Sequence, residues 1–505
     1  MNASVNAQED PFGGSRACFT ELVGWLEGSQ AAELSHGELE DELDRRGREL
    51  LRQMFQAQLD LRAVREKRSD EVTDADGVRH GAVETGHTRP LQTIFGAVSV
   101  TRLAYRRRGH ANLYPVDGQL NLPAEQHSHG LRRLAAVESS RGSFEEATAA
   151  IGRTTGHTLG KRQVETLAAR AAVDVTDFYS TRRPPPGSHD EVLVISADGK
   201  GIVMRPEALR PQTARNAQAA TTKLKTRLSK GEKRNRKRLA EVGAVYDLTP
   251  APRHATDVMG GEETCEEPGP PPAAAPVAKN KWVTASIVND AAQVLHEVFD
   301  EAERRDPTHT RTWVALVDGN NHQINRIEAE AADRGVEVTI VIDLIHVLEY
   351  LWGAAWCFFD EADPAAEDWV RHRALAILDG KARQVATGIR RRATSTALPP
   401  TKRTKADACA RYLINKSNHL DYPTALASGW PIATGVIEGA CRHLVKDRMD
   451  ITGARWSSEG AEAVLKLRAV RTNGDFDAYW HHHLEHERAR VHATRYNDGL
   501  IPAAA

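Results

Sequence analysis

The sequence is poor in cysteine and in long apolar runs, and each shortage excludes a class of protein. Its five cysteines are scattered and form no CxxC pair, so neither a disulfide framework nor a zinc ribbon is expected. The longest uncharged, strongly apolar run is the ten residues Tyr350–Phe359, whereas a membrane-spanning helix needs roughly 20. The N-terminus has neither the basic nor the apolar region of a secretory signal. We therefore expect a soluble, cytoplasmic protein that has no membrane partner.

An excess of charge of one sign is also missing. Lys and Arg number 67 against 69 Asp and Glu, a net charge of −2, and 40% of the 505 residues are hydrophobic. This is the composition of a globular protein of two to four domains. Taken as a whole, the chain has no basic signature of a nucleic-acid binder.

The charge is nevertheless distributed unevenly along the chain. Residues 1–50 hold eleven acids against four arginines, a local charge of −7. Residues 205–238 hold twelve bases against two acids, and residues 371–411 hold eleven against two, local charges of +10 and +9. A charge run is more often a solvated face, but basic blocks of this kind can follow a nucleic-acid backbone.

The N-terminal third is predicted to be mostly helical. A long amphipathic helix is expected from near Glu33, because apolar residues recur at helical spacing at Leu39, Leu43, Leu50, Met54 and Leu61. Packing of this helix on its own domain is favoured over dimerisation, because the seam is short and Gly47 interrupts it.

A β-hairpin and a pair of short helices follow. Residues 92–108 alternate in the manner of a hairpin. The capping box Ser143-x-x-Glu146 predicts a helix, and a second one is expected over residues 161–172 after a glycine-bearing turn. The pair is either a helix-turn-helix with Lys161 and Arg162 at the start of the recognition helix, or two packed core helices.

The rest of the chain alternates strands and helices. Strands are predicted over residues 191–197, 241–248, 281–288, 312–317 and 336–342, with helices over 289–305, 323–334 and 344–359. This order is typical of an α/β layer with a mixed sheet. Residues 261–280 are proline-rich and are expected to form a mobile loop, and residues 362–428 are expected to be wholly helical.

Two acids stand at the ends of predicted buried strands. Asp198 follows EVLVISA and Asp318 follows TWVALV, and each precedes a glycine. Carboxylates at the carboxyl ends of neighbouring strands would converge at one sheet edge, where Mg²⁺ could bind them. A single strand-end Asp is more often a turn or capping residue, so the matching pair is what favours a site.

A third acid, Glu438, lies on a helix expected to begin at Thr434. Ile437, Cys441 and Leu444 would form its buried stripe. Glu438, Arg442 and Lys446 would form a polar ridge at i, i+4 and i+8, either a surface ion-pair ladder or a metal ligand flanked by phosphate contacts.

The motif Asp343-Leu-Ile-His346 places an acid and a histidine on one helical face. We expect the two side chains to brace the strand end by a hydrogen bond rather than to bind the metal directly. The histidines over residues 481–486 are expected to form a solvated helix face and are given no role.

Together, Asp198, Asp318 and Glu438, with DLIH after the second acid, resemble the DDE transposases, whose catalytic core is RNase H-like. The segments SADGKGIVM, VDGNNHQI and GVIEGACRHLVKDRMDITGARWS are similar to the ISKra group of bacterial insertion-sequence transposases. The resemblance covers about residues 79–475.

The resemblance implies an α/β fold with an RNase H-like core, an all-helical insertion, and a mostly helical N-terminal DNA-binding region with a small hairpin. It implies that Asp198, Asp318 and Glu438 are the catalytic residues and the ligands of two Mg²⁺ or Mn²⁺ ions. Double-stranded DNA, as transposon ends and target, would be the partner of a homodimer or larger oligomer, in the cytoplasm or on the nucleoid.

Side chains expected near the DNA come from the basic block, the Glu438 helix and the helix pair. Trp456, in GARWS, is assigned either to stacking on a base or to the core. The expected DNA contacts are Lys200, Arg234, Arg236, Lys237, Arg238, Arg442, Lys446, Trp456, Lys161 and Arg162.

These features divide the chain into successive segments. They are a poorly ordered acidic start (1–32), a DNA-binding region (33–185), the first part of the core (186–361), a helical insertion (362–428), the second part of the core (429–475) and a tail (476–505). Two alternatives to a transposase remain: a structure-specific nuclease of the same fold, and a transposase-derived DNA-binding protein without activity.

Overall fold

A computed structural model describes residues 10–219, 236–260, 272–451 and 453–503. The chain separates into two compact units, Met1–Ser180 with Asp475–Ala505, and Thr181–Gly474. The second unit is thus inserted into the sequence of the first. Across the described ranges, every helix is too short or too polar to cross a bilayer.

The described residues of the first unit are mostly helical, with one β-hairpin. Its elements are α1 Gly13–Leu26, α2 Ser29–Ala32, α3 His36–Arg65, β1 Ala82–Thr93, β2 Gly96–Arg106, α4 Pro115–Gln119, α5 His129–Arg141, α6 Phe144–Thr155, α7 Lys161–Ala171, α8 Val175–Thr181 and, from the end of the chain, α21 Phe476–Val491.

The predicted hairpin is confirmed but lies further towards the N-terminus. Strands β1 and β2 pair antiparallel from Ala82↔Arg106 to Thr93↔Gly96, so the prediction over residues 92–108 captured the turn and β2 but missed β1. Along β2, Val98 and Val100 are buried and pack with Leu59 of α3. The hairpin therefore builds its core against the long helix.

The long helix forms as expected, but a different face of it is buried. Ser35 and Glu38 make a capping box at its start. Of the predicted seam, Leu43 and Met54 are 41% and 44% exposed, whereas Ala57 and Leu59 are buried. The hairpin fixes which side is covered, so the prediction that the seam packs on its own domain is wrong for Leu43 and Met54.

Helices α5, α6 and α7 share one apolar cluster that includes Leu131, Ile151 and Val164. The capping box of Ser143 and Glu146 is confirmed, and α6 ends at Gly156, whose φ of 72° is left-handed. The turn before α7 is therefore formed as the sequence indicates.

Helices form within both the segment expected to be poorly ordered and the segment expected to be a tail. Residues 13–32 form α1 and α2, and the guanidinium of Arg46 lies 4.3 Å from the ring of Trp25. The expected tail forms α21, where His483 is buried rather than solvated and hydrogen-bonds Asp174 at 2.6 Å. Arg132 of α5, also fully buried, contacts Glu487 of α21 at 2.9 Å.

The second unit is an α/β layer with a helical insertion. Its elements are β3 Val192–Val203, α9 Pro211–Ala219, β4 Lys237–Leu248, α10 Ala255–Met259, β5 Ala278–Ser286, α11 Ala291–Arg305, β6 Trp313–Val317, α12 Asn321–Arg334, β7 Val338–Ile342, α13 Leu344–Ala355, α14 Pro364–Leu378, α15 Ala382–Ser395, α16 Pro400–Asn415, α17 Tyr422–Ala427, α18 Gly435–Ala440, a π-helix Cys441–Lys446, α19 Asp447–Met449 and α20 Ser458–Thr472.

The five strands in the described part of this unit form one mixed sheet in the order β5-β4-β3-β6-β7. Strands β5, β4 and β3 are antiparallel neighbours, and β3, β6 and β7 are parallel. The predicted mixed α/β sheet is confirmed, as is the helical stretch over 362–428. Most of the proline-rich segment, residues 261–271, lies outside the described residues, and its last three residues belong to β5.

Helix α11 packs directly on β4 because of a glycine. A Cβ at Gly243 would lie 2.3 Å from Cγ2 of Val298, so only glycine permits this approach. At the far end of the same strand, Asp247 accepts a hydrogen bond of 2.7 Å from the buried Arg311. Close packing and a buried ion pair together fix the sheet that carries the predicted acids.

Candidate functional site

Asp198 and Asp318 lie just beyond the paired part of two neighbouring parallel strands, β3 and β6. The parallel register runs from Leu193↔Trp313 to Ser196↔Leu316, an offset of 120 residues that is also the separation of the two acids. Adjacent strands lie about 4.8 Å apart, so the two acids follow the last pair at matching positions. The convergence predicted from the sequence therefore has a structural basis in the register.

The prediction that Asp198 ends its strand is wrong. Strand β3 continues to Val203, because β4 supplies antiparallel partners beyond the point where β6 stops, from Asp198↔Val242 to Val203↔Lys237. Asp198 thus lies within a long strand and is held more firmly than a turn residue would be.

Asp318 does follow the end of its strand. Its Oδ1 accepts the backbone N–H of Asn320 at 2.8 Å, and Gly319 has a left-handed φ of 88°. The Tyr412 hydroxyl donates to the Asp318 carbonyl oxygen at 3.2 Å, and a Cβ at Gly319 would lie 2.8 Å from that hydroxyl. The turn is therefore fixed by a contact from the helical insertion, which the sequence did not predict.

Glu438 is exposed on α18, one turn before the point where its helix meets β3. The thiol of Cys441 lies 3.4 Å from Oδ2 of Asp198 and donates a hydrogen bond to it. Burial, together with the Asp198 carboxylate, raises the pKa of Cys441 well above its usual value, so the thiol keeps its proton. This contact ties the Glu438 helix to the strand of the first acid.

The predicted stripe of Ile437, Cys441 and Leu444 is buried, as expected. Glu438 lies on α18, whereas Arg442 and Lys446 lie in the π-helix Cys441–Lys446, which has more residues per turn, so the expected ridge does not follow one continuous α-helix. Arg442 and Lys446 are nevertheless exposed, and Arg442 lies 3.8 Å from Asp447.

Asp343 links the end of β7 to the start of the Glu438 helix. It is fully buried, and its Oδ2 accepts hydrogen bonds from Thr434 Oγ1 at 2.6 Å and from His346 Nδ1 at 3.2 Å. Burial alone would raise the pKa of Asp343, but the hydrogen bonds from His346 and Thr434 outweigh it and lower that pKa. The same hydrogen bond raises the pKa of His346. The Asp–His pair is formed as predicted, and Thr434 is a third member that the sequence did not indicate.

A cavity of about 590 Å³ opens beside the two strand acids. Sequence reasoning missed several of its charged or polar wall residues, because no local motif marks them and only the folded sheet and helices bring them together. Besides Asp198 and Asp318, its lining includes Glu241, Asp290, Arg210, Arg326, Asn320 and His322.

The cavity is rich in carboxylates. Burial raises the pKa of Glu241; Asp198 and Asp290 raise it further, whereas Arg210 opposes them. The four carboxylates of the lining, Asp198, Glu241, Asp290 and Asp318, share this space with two guanidinium groups, those of Arg210 and Arg326.

The predicted triad is not a tight three-ligand cluster. In the described ranges, three ligand atoms come within 4.8 Å of one another at Asp74–His80–His110 and at Asp177–His482–His486, both in the first unit. A two-ion site spreads its ligands around ions roughly 3.5–4 Å apart, so it does not require all three acids to meet at one point.

Most of the predicted DNA contacts in the second unit are exposed. Lys200 of β3 and Arg236 and Lys237 at the start of β4 are solvent-accessible. Arg238 is half-buried and lies 3.4 Å from the Ser458 hydroxyl. Arg234 lies outside the described residues.

Trp456 belongs to the core. It is 4% exposed, its indole N–H donates to the Met449 carbonyl at 3.0 Å, and Arg448 stacks 4.7 Å from its ring. Its ring is thus occupied by protein contacts, and the base-stacking alternative is not supported. In the first unit, Lys161 and Arg162 are exposed at the start of α7, where Lys161 pairs with Glu145 at 2.8 Å.

No protein-family model and no curated protein matches this chain. What the site does is therefore inferred from its own geometry and from the motifs of the sequence.

Proposed function

We propose that this chain is a DDE transposase that cleaves insertion-sequence ends and joins them to target DNA by metal-dependent phosphoryl transfer. The observation that carries the proposal is the β3–β6 register, which sets Asp198 and Asp318 at matching positions on one cavity. The Cys441–Asp198 contact adds the helix of Glu438 to the same strand. The mixed five-stranded sheet is compatible with the RNase H-like core that the sequence resemblance implies.

The reaction consists of two in-line displacements at phosphorus. Water attacks the phosphodiester at a transposon end and frees a 3′-hydroxyl, and that hydroxyl then attacks a phosphodiester of the target strand. Asp198, Asp318 and Glu438 would hold two Mg²⁺ or Mn²⁺ ions, which supply a lowered water pKa and stabilise the leaving oxygen. Carboxylate oxygens are the ligands that Mg²⁺ prefers, so the donor set fits these ions.

The chain's other residues hold this arrangement and bind the substrate. Asp343 fixes the start of the Glu438 helix through Thr434, and the Cys441 thiol fixes the Asp198 carboxylate. Exposed Lys200, Arg442 and Lys446 are available for contacts with DNA phosphates.

Replacement of single carboxylates tests the catalytic assignment. We expect Asp318→Asn to lower cleavage of element-end DNA in Mg²⁺ by at least about 1,000-fold, because an amide cannot supply the anionic oxygen. DNA binding by gel shift should stay within a few-fold of wild type. Asp333→Asn, at an exposed position on α12, is the matched control. Cleavage that survives in Asp318→Asn would remove this residue from the site.

The two alternatives give different products. Element-end DNA, Mg²⁺ and a target plasmid should yield joined molecules if the chain is a transposase. Cleavage without joining would identify a structure-specific nuclease. Binding without cleavage would identify a DNA-binding protein that has lost catalysis.

A further inference from the structure

The base of the hairpin in the first unit brings one carboxylate and two imidazoles together. Strand β1 begins at Ala82, strand β2 ends at Arg106, and these two residues are paired. The residues just before β1 and just after β2 therefore lie close in space. Oδ2 of Asp74 lies 3.0 Å from Nε2 of His80 and 3.1 Å from Nδ1 of His110. Asp74 and His80 are buried, whereas His110 is exposed.

The hydrogen bonds of His80 leave one ring nitrogen facing a carboxylate oxygen. Its Nδ1 lies 3.3 Å from the Tyr105 carbonyl oxygen, which can only accept, so Nδ1 carries a proton. In a neutral imidazole, Nε2 then directs a lone pair at Asp74. Either a second proton on His80 or a cation between the two groups removes this repulsion.

Asp74 is fixed to face both rings. Its Oδ1 accepts the backbone N–H groups of Asp76 and Val78 at 3.1 and 2.9 Å, which leaves Oδ2 for the histidines. In the described part of the chain, no lysine or arginine pairs with Asp74. One divalent cation would satisfy Oδ2 and both ring nitrogens, whereas two imidazolium ions would place two positive charges on one carboxylate oxygen.

We propose that Asp74, His80 and His110 form a Zn²⁺ site. Metal–ligand distances of about 2.0–2.1 Å in a tetrahedral site separate neighbouring ligands by roughly 3.3 Å, close to the separations seen here. A set of two imidazoles and one carboxylate suits zinc, whereas Mg²⁺ prefers oxygen ligands throughout. A ligating histidine that donates its other N–H to a backbone carbonyl, as His80 does to Tyr105, is the usual outer support of such sites.

Zinc here would fasten the end of the chain to the hairpin. The loop that carries Asp74 hydrogen-bonds the C-terminal segment through Ala75 N to Arg495 O at 3.0 Å and Asn497 N to Thr73 O at 3.2 Å. Beneath it, Val72, Tyr105 and Tyr496 share one buried cluster. The zinc would therefore stabilise the first unit, independently of the carboxylate site proposed for phosphoryl transfer.

Metal titration of the full chain tests this site. The chain is first stripped with a chelator and then titrated with Co²⁺, whose visible absorption reports four-coordinate nitrogen and oxygen ligation, and with Zn²⁺ against a chromophoric chelator. His110→Ala removes an exposed ligand without disturbing the core, and His110→Cys restores a ligand that zinc accepts. His482→Ala with His486→Ala is the matched control, because these two residues and Asp177 form a second histidine–carboxylate group among the described residues.

We expect one tight equivalent of Zn²⁺ in the wild type, the His110→Cys variant and the control double variant. His110→Ala should bind it at least about 100-fold more weakly and should not show the zinc-dependent rise in melting temperature. Absence of a tight equivalent in the wild type would overturn the proposal. A control variant that fails to bind this equivalent, or its retention in His110→Ala, would also overturn the proposal.

Discussion

At the scale of the single residue, the first unit holds a half-buried histidine, His129, whose neutral form is favoured. Nε2 of His129 donates to the Asn121 carbonyl at 2.7 Å, and its Nδ1 accepts from Arg132 at 3.2 Å. Burial lowers the pKa of His129 to about 4, and the positive charge of Arg132 adds to this effect. The folded chain therefore resists protonation at a position where the unfolded chain accepts a proton.

The sign of the resulting pH dependence follows from this difference. The folded pKa of about 4 lies below the unfolded value of about 6.5, so the stabilisation is complete above pH 6.5 and disappears as pH falls towards 4. The decrease is on the order of 3 kcal/mol. In His129→Gln, which keeps a donor and an acceptor but does not titrate, we expect stability to fall less steeply over this range.

Hydrogen-exchange mass spectrometry measures this loss of stability in peptides from α5 and α21. Wild type and His129→Gln are compared at each pH. His481→Gln, at an exposed position on α21, should behave like the wild type. An identical pH dependence in wild type and His129→Gln would show that His129 is not responsible.

At the scale of the element, the placement of α18 decides where Glu438 lies. This helix has only six residues, and its N-cap Thr434 makes no side-chain capping hydrogen bond. Its hydroxyl is instead used on Asp343, and the backbone N–H of Leu344 donates to the Ile432 carbonyl at 2.8 Å. A helix this short is positioned by tertiary contacts rather than by its own propensity.

Removing the Thr434 hydroxyl should displace α18 without unfolding the second unit. In Thr434→Val, we expect stability to fall by about 1–2 kcal/mol, because the buried Asp343 carboxylate is deprived of a hydrogen bond. The cleavage rate should fall by roughly 10- to 100-fold while the affinity for DNA is retained. Single-turnover cleavage and gel-shift assays separate the two quantities.

The matched control is Thr387→Val on α15. Thr387 is exposed, and its hydroxyl donates a hydrogen bond within its own helix, to the Arg383 carbonyl at 2.9 Å. An equal decrease in rate in the two variants would mean that the Asp343–Thr434 hydrogen bond does not position Glu438.

At the scale of the whole molecule, the near-zero net charge hides an uneven distribution. The first fifty residues carry −7 and the block 205–238 carries +10. In the first half of α3, Arg45, Arg46, Arg48 and Arg52 are already paired with neighbouring acids; Arg45 and Arg48, for example, contact Glu42 and Asp44 at 2.6 and 2.7 Å. The exposed bases at the start of β4 are therefore better placed than these to contact phosphates.

Neutralising the basic block should weaken DNA binding in a salt-dependent way. For the quadruple change of Arg234, Arg236, Lys237 and Arg238 to Gln, we expect the slope of log K against log salt to become shallower by roughly one for each phosphate that the variant no longer neutralises. Fluorescence anisotropy over a range of salt concentrations measures this slope.

A matched quadruple variant removes the same charge from α3. It replaces the ion-paired arginines by Gln at Arg45, Arg46, Arg48 and Arg52. Its slope should stay close to that of the wild type. If the slope of log K against log salt became equally shallow in both variants, net charge, and not the basic block 205–238, would control binding.

Local patterns were enough to predict most elements of this protein. Capping boxes, alternating apolar residues and buried runs identified α6, β2 and most of the sheet strands, because each pattern reports on neighbours close in sequence. Local patterns did not predict burial that depends on a partner distant in sequence. One example is the face of α3 that the hairpin covers, and another is the C-terminal helix α21, which Arg132 contacts.

Local sequence was enough to propose Asp198 and Asp318 as site residues, because an apolar run followed by Asp-Gly is visible without any partner strand. That both acids line one cavity depends on the fold, since strand register is set by pairing between segments 120 residues apart. Folding also brings Glu241 and Asp290 to the same cavity, and Asp74, His80 and His110 to the base of the hairpin. Pairing between strands that are distant in sequence brings these residues together. The pattern of residues close in sequence does not show which strands will pair.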